Sequence, residues 1–187
     1  MMTVLDSPES RETVYPLSVE FYHEAGKLGL FGEDVELLEG VLFKKMTKSP
    51  LHETIARRLL RLLSSYIPKG YFLTKESPIT CAHSEPEPDI AVIAGEEEDF
   101  THRHPTTAEL IIEVAINTQQ RDRSKAGIYA EAGVKEYWLV EPEGKSVTLF
   151  TRPSAGGYET NAVFTSTDLV TSTLFPKFSV NLAELFA

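Results

Sequence analysis

A glutamate breaks an otherwise apolar run at Leu110-Ile111-Ile112-Glu113-Val114, and this is where the chain most openly departs from what a buried strand prefers. A carboxylate in such a strand costs several kcal/mol unless a cation, a metal or hydrogen bonds compensate it, so something must face Glu113. Period-two alternation puts Ile111, Glu113 and Ala115 on one sheet face and Leu110, Ile112 and Val114 on the other. Asp89 has the same character, because it opens the strand Asp-Ile-Ala-Val-Ile directly after Pro88. Taken singly, Glu113 reads equally as a glutamate paired with Arg or Lys for structure, and Asp89 as a turn or strand-capping residue. Two carboxylates on neighbouring strands are a different matter. Hard oxygen ligands converging on one cation are what magnesium requires, with water and a substrate phosphate completing its coordination.

Asp122, Lys125 and Tyr129 follow at i, i+3 and i+7, on one face of the helix expected after that strand. An ordinary surface pairing of Asp122 with Lys125 fits the same spacing. Arg57, Arg58 and Arg61 make the one basic patch of note. Most such patches are solvated helix faces, and this one would also suit contacts to a phosphate backbone. Tyr137 and Trp138 lie in an apolar strand and read as core.

The elements that must position these groups follow from periodicity. Ser18 caps a short helix over SVEFYHEAGKLG, and VELLEG and VLFKKM form a hairpin turning at Gly40. In LHETIARRLLRLLSSYI the residues Leu51, Ile55, Leu59, Leu62, Leu63 and Tyr66 recur at helical spacing behind Ser49 and Pro50, which predicts a helix from about Leu51 to Ile67. GYFLTK, PITCAH and DIAVIAG read as strands, the acidic run Glu96–Asp99 as a surface loop, and ELIIEVA as a strand buried on both faces. NTQQRDRSK leads into a helix ending at Gly133. EYWLVEP and SVTLFTR form a second hairpin around Glu143 and Gly144, another strand follows Gly156-Gly157, and Asn181 caps a short closing helix. Strands and helices interleave with hairpins early and late in the order, so the expected class is α/β with a mixed β-sheet flanked by α-helices. The strands at Asp89 and Glu113 should be neighbours.

At 187 residues the chain suits a single domain, here expected over residues 17–187 behind a flexible N-terminal arm at residues 1–16. No stretch approaches the roughly 18 apolar residues of a membrane span, and the polar start is unlike a signal peptide, so the expected setting is cytoplasmic. The single cysteine, Cys81, excludes an intramolecular disulfide and a multi-cysteine zinc site, and it reads as a buried thiol. A net charge of −10 repels polyanions at long range and argues against charge-driven binding to nucleic acid. The sum does not settle the matter, because metal sites are built from carboxylates that the ion neutralises, and because basic groups can gather on one face.

The order Pro88-Asp89, Glu113-Val114-Ala115, then Asp122, Lys125 and Tyr129, followed by Ala-Gly-Val-Lys-Glu-Tyr-Trp-Leu-Val, resembles the Uma-two family of restriction endonuclease-like proteins. That family is a branch of the PD-(D/E)XK nuclease superfamily. Glu36-Leu37-Leu38-Glu39-Gly40 and Ser49-Pro50 followed by His52 extend the resemblance over roughly Val35 to Phe150. It implies a restriction-endonuclease-like core and a metal-dependent endonuclease hydrolysing DNA phosphodiester bonds. Asp89 and Glu113 would hold Mg2+, with Mn2+ as a substitute. It also places Glu39 where the superfamily often supplies a further metal or water contact, although a turn glutamate beside Gly is the plainer reading. His52 could touch a phosphate or act as an acid, or simply be solvated. The superfamily lysine two residues after the glutamate is missing, since Ala115 stands there, and Lys125 is the candidate substitute, with Lys44, Lys45, Arg57 and Arg121 behind it. A homodimer would let one small domain address both strands of a duplex. The rival reading is a nuclease-fold binding or assembly module that does not cut, favoured by the charge and by Ala115.

Overall fold

Alternation along five central residues decides the layering of the molecule. In β5 (Leu110–Val114), Leu110, Ile112 and Val114 join one apolar cluster while Ile111 joins another on the opposite sheet face, and every residue of the strand is buried. The computed structural model describes residue 9 and residues 13–187, so most of the expected N-terminal arm lies outside the described residues. Around β5 runs a six-stranded sheet in the order β3 (Tyr71–Thr74), β4 (Ile90–Ala94), β5, β6 (Glu136–Glu141), β7 (Ser146–Ser154), β8 (Gly157–Phe164). Only β5 and β6 are parallel, and their crossover is the helix Gln119–Glu131. The protein is thus an α/β fold with a mixed sheet between helices, as the interleaved pattern predicts.

Helix α1 (Val19–Lys27) starts at Ser18, whose hydroxyl accepts from the Phe21 amide, and α2 (Pro50–Ser64) starts at Ser49, which accepts from the His52 amide. From α2, Ile55, Ala56, Leu59 and Leu63 pack against the β4, β5 and β6 side chains of the first cluster. Leu51, Leu62 and Tyr66, counted into that stripe from spacing, are exposed, and the helix ends at Ser64 rather than near Ile67. The sheet is met by a narrower stripe than the apolar residues alone define. On the other face α3 (Gln119–Glu131) packs Tyr129 against Tyr137, with ring centroids 5.1 Å apart. Tyr137 and Trp138 are core, as expected.

PITCAH is not a strand. Its amides bond to scattered carbonyls (Ile79 N to Pro86, Thr80 N to Pro105, Cys81 N to Ser84), and the flanking Pro78, Pro86 and Pro88 have no N–H with which to continue a ladder. Cys81 lies half-buried in this loop, and burial pushes its thiol up to about 12. Two short strands that spacing did not reveal, β9 (Leu169–Thr171) and β10 (Ser179–Asn181), pair antiparallel. They precede α4 (Leu182–Leu185), which Asn181 caps. The hairpin of β1 (Val35–Leu38) and β2 (Val41–Lys44) turns at Glu39 and Gly40, both with positive φ (50° and 74°), as a type I′ turn demands. A Cβ on Gly40 would stand 2.5 Å from the Pro16 Cβ, so this close approach needs glycine. No helix among the described residues is long and apolar enough to cross a membrane.

Candidate active site

The antiparallel register of β4 on β5 pairs Ile90 with Ile112, and one step further it sets Asp89 opposite Glu113. Pro88 ends the strand there, and the two acidic side chains tie the strand ends together in place of the ladder. The Asp89 amide donates to Glu113 Oε2 at 3.3 Å, and the Val114 amide donates to Asp89 Oδ2 at 2.8 Å. Both carboxylates are about 95% buried, Asp89 at 4% and Glu113 at 5% exposure. They lie in a cleft of about 460 Å3, whose wall also carries Glu36, Lys48, His52, Asp122 and Lys125.

Chain direction turns at Asn117, which holds a left-handed φ of 63°, and α3 then lies over the β5 carboxylate. The face shared by Asp122, Lys125 and Tyr129 points inward. Lys125 Nζ is 3.2 Å from Glu113 Oε1, 3.2 Å from Glu36 Oε2 and 3.6 Å from Asp122 Oδ1. The Tyr129 hydroxyl donates to Glu113 Oε1 at 2.8 Å, and the Tyr137 hydroxyl donates to the Asp122 carbonyl, which clamps the helix to the sheet. All three side chains are buried, so a solvated surface pair of Asp122 with Lys125 is not what forms.

From α2, His52 Nε2 lies 2.9 Å from Asp89 Oδ2, and His52 is 8% exposed rather than solvated. Its Nδ1 has no hydrogen-bond partner among the described residues. Lys48, just before the α2 cap, puts Nζ 2.8 Å from Asp89 Oδ1 and 3.3 Å from Glu76 Oε1.

Glu39 is not part of this cluster. It occupies the exposed hairpin turn, pinned there by its amide bond to Ser84 Oγ, while Glu36 of β1 is 2% exposed and reaches Lys125. A strand residue turned toward the sheet can enter the cleft, and a turn residue cannot. Glu36, a polar residue between Val35 and Leu37, carries the same signal that singled out Glu113. Lys48 has no comparable signal, because its partners lie on distant segments. The arginine patch does not line the cleft either. Arg58 donates to the carbonyls of Leu185 (2.6 Å) and Ala187 (2.8 Å), docking the C-terminal helix, and Arg57 and Arg61 are exposed on the same helix. Of the reserve cations, Lys44, Lys45 and Arg121 line the cleft and Arg57 does not.

Electrostatically the cleft is short of positive charge. Four buried carboxylates, Glu36, Asp89, Glu113 and Asp122, meet Lys48, Lys125 and the edge of Arg121, whose Nε is 4.0 Å from Glu36. Burial pushes the Glu113 carboxyl up to about 7; Lys125 opposes the rise, and Asp89 and Asp122 add to it. Asp122 is raised by burial as well. At Asp89 the burial effect is outweighed by the His52 hydrogen bond and the Lys48 charge, and its carboxyl is held below the usual range.

This donor set fits a hard divalent cation: two facing carboxylates, more buried carboxylates than buried cations, and a glutamate whose ionised form Lys125 and Tyr129 compensate only in part. Among the described residues no three acidic, histidine or cysteine groups converge as a complete cage. An ion here would take its other ligands from water and phosphate, the usual condition of magnesium.

No curated protein matches the chain. A solved structure described as a "putative nuclease belonging to DUF820 from Anabaena variabilis ATCC 29413" aligns with a TM-score of 0.76 at 18% identity, covering 91% of this chain and 98% of that one. At that identity the likeness shows a shared fold. The family model described as "Uma2: Putative restriction endonuclease" matches residues 30–183, a span that takes in the β1–β2 hairpin and every residue of the carboxylate cleft. The chain therefore belongs to the Uma2 family.

Proposed function

We propose that the protein is a magnesium-dependent endonuclease that hydrolyses DNA phosphodiester bonds, with Asp89 and Glu113 holding the ion and Mn2+ able to replace it. The observation that carries this reading is the register of β4 on β5, which sets two buried carboxylates face to face in a cleft left net negative by the chain's own side chains. A bound ion would lower the pKa of a coordinated water and polarise the phosphoryl oxygen. The chain's residues do the rest. The Val114 amide and His52 fix the Asp89 carboxylate from one side, and Tyr129 fixes Glu113 from the other. Lys125 replaces the lysine absent at Ala115: held 3.2 Å from Glu113, it places a fixed positive charge beside the carboxylates, where it offsets charge developing on the phosphorane. Glu36 keeps Lys125 aimed. A symmetric dimer would bring two such clefts to the two strands of a duplex.

The competing reading, a nuclease-fold module that does not cut, draws on the net charge of −10. Purified protein incubated with Mg2+ or Mn2+ on single-stranded, duplex and supercoiled DNA separates the two. Cleavage by the wild type above a Glu113→Ala control supports the enzyme. No difference between them, on all three substrates and with both metals, leaves the module.

A further inference from the structure

We propose that Lys48 is a displaceable cation: it occupies the open oxygen of Asp89 until a divalent ion binds there, and then turns to the substrate phosphate. The inference rests on the nuclease reading above. Of the two Asp89 oxygens, Oδ2 is committed to the Val114 amide at 2.8 Å and to His52 Nε2 at 2.9 Å. Among the described residues Oδ1 has Lys48 as its one partner, at 2.8 Å. An ion shared with Glu113 therefore meets the Lys48 ammonium at the oxygen it needs. Glu113 shows the same division, with Oε1 taken by Lys125 and Tyr129 and Oε2 hydrogen-bonded, among the described residues, only by the Asp89 amide at 3.3 Å.

The two lysines of the cleft differ in how they are held. Lys125 is 5% exposed at its side chain and shared by three carboxylates, so the loss of one leaves it anchored by the others. Lys48 is 30% exposed, sits on the irregular segment between β2 and α2, and has one alternative partner, Glu76 Oε1 at 3.3 Å. Glu76 is itself paired with Lys75 at 2.7 Å. A flexible four-carbon stem with three donors can leave Asp89 without moving the backbone. Two like charges competing for one carboxylate oxygen repel strongly in a partly desolvated cleft, so the ion and Lys48 should exclude one another on Oδ1. A displaced ammonium remains in the cleft, within reach of a non-bridging phosphate oxygen. This supplies the mobile counterpart to the immobile Lys125.

The test is Lys48→Met, which keeps most of the stem and removes the charge. It is read by Mn2+ titration without DNA and by steady-state cleavage. Displacement predicts opposite changes: half-saturation of the Mn2+-induced rise in Tm at about 3- to 10-fold lower metal concentration, because a competitor is gone, and kcat lowered about 100-fold with KM for DNA nearly unchanged. Lys48→Arg should regain part of kcat, since charge returns on a planar fork that fits the position imperfectly. Unchanged or weaker Mn2+ binding by Lys48→Met overturns the competition, and an unchanged kcat overturns the role toward phosphate. Both failures would leave the nuclease reading intact if the wild type binds metal and cuts. A wild type that takes no Mn2+ overturns both readings together.

Discussion

Two buried glutamates stand on adjacent strands of one sheet and are satisfied in opposite ways. Glu136 begins β6, where it pairs with Leu110, and it is fully buried. Its oxygens accept from the Trp138 indole N–H at 2.6 Å, from the Thr173 amide at 2.8 Å and from the Thr173 hydroxyl. Each of these donors is neutral, and none belongs to a titrating cluster. Glu113, toward the other end of the same strand pair, shares its surroundings with Asp89, Asp122 and Glu36 and with a lysine that three carboxylates divide. Burial alone therefore does not mark a functional carboxylate. Glu136 is a closed hydrogen-bonding unit that knits β6 to the C-terminal segment, whereas the Glu113 cleft is left with uncompensated negative charge and an opening to solvent.

The sharpest way to break this contrast is to neutralise each glutamate without changing its shape. On the proposed function, Glu113→Gln should lower DNA cleavage by at least about 100-fold while the protein still melts cooperatively, because the proposed metal ligand is lost rather than a packing group. Glu136→Gln should keep kcat within a few-fold and instead cost about 1–3 kcal/mol in urea denaturation, because an amide N–H2 then faces donors that need an acceptor. If the two substitutions affected activity equally, the division between the sites would be wrong.

Next comes Lys125→Ala. Spacing alone left Lys125 open between a catalytic cation and a surface pair, but the lysine is buried and its single charge is shared by Glu36, Glu113 and Asp122. Its removal should cost about 3–5 kcal/mol in the metal-free protein. Saturating Mg2+ should recover part of that loss, which melting curves with and without metal would show. A stability equal to wild type in chelator would mean that the cleft does not depend on this cation.

A further expected effect is on pH dependence. Glu113 titrates at about 7 in the folded protein, against 4.5 ordinarily, so between those values the folded state binds the extra proton. Its contribution to stability is present below about pH 4.5 and is lost as pH rises through about 7. Urea midpoints of metal-free protein between pH 5 and pH 8 should show this decline. Glu113→Gln should flatten it, and Glu136→Gln should leave it in place.

Local pattern alone made much of this legible. Period two placed Glu113 on the face opposite Leu110, Ile112 and Val114. Period 3.6 put Asp122, Lys125 and Tyr129 on one helix face, Ser18 and Ser49 marked helix starts, and the Glu39-Gly40 pair marked the hairpin turn. Each depends on residues a few positions apart, and each reflects backbone geometry that the chain adopts wherever it lies.

Only the tertiary structure decided who faces whom. Glu39, expected to reach the metal or its water, is carried outward by the tight turn, while the strand face carries Glu36 inward to Lys125. Lys48 meets Asp89 across segments that no period connects, and Arg58 is engaged by the carbonyls at the chain's end instead of being free for phosphate. PITCAH has β-forming residues, but its amides go to the separate carbonyls of Pro86, Pro105 and Ser84 instead of along one strand, so its propensity builds no ladder. Periodicity assigns a side chain to a face. The charge balance that separates Glu113 from Glu136 depends on which distant faces are pressed together, and that is set by the packing of the whole sheet and its helices.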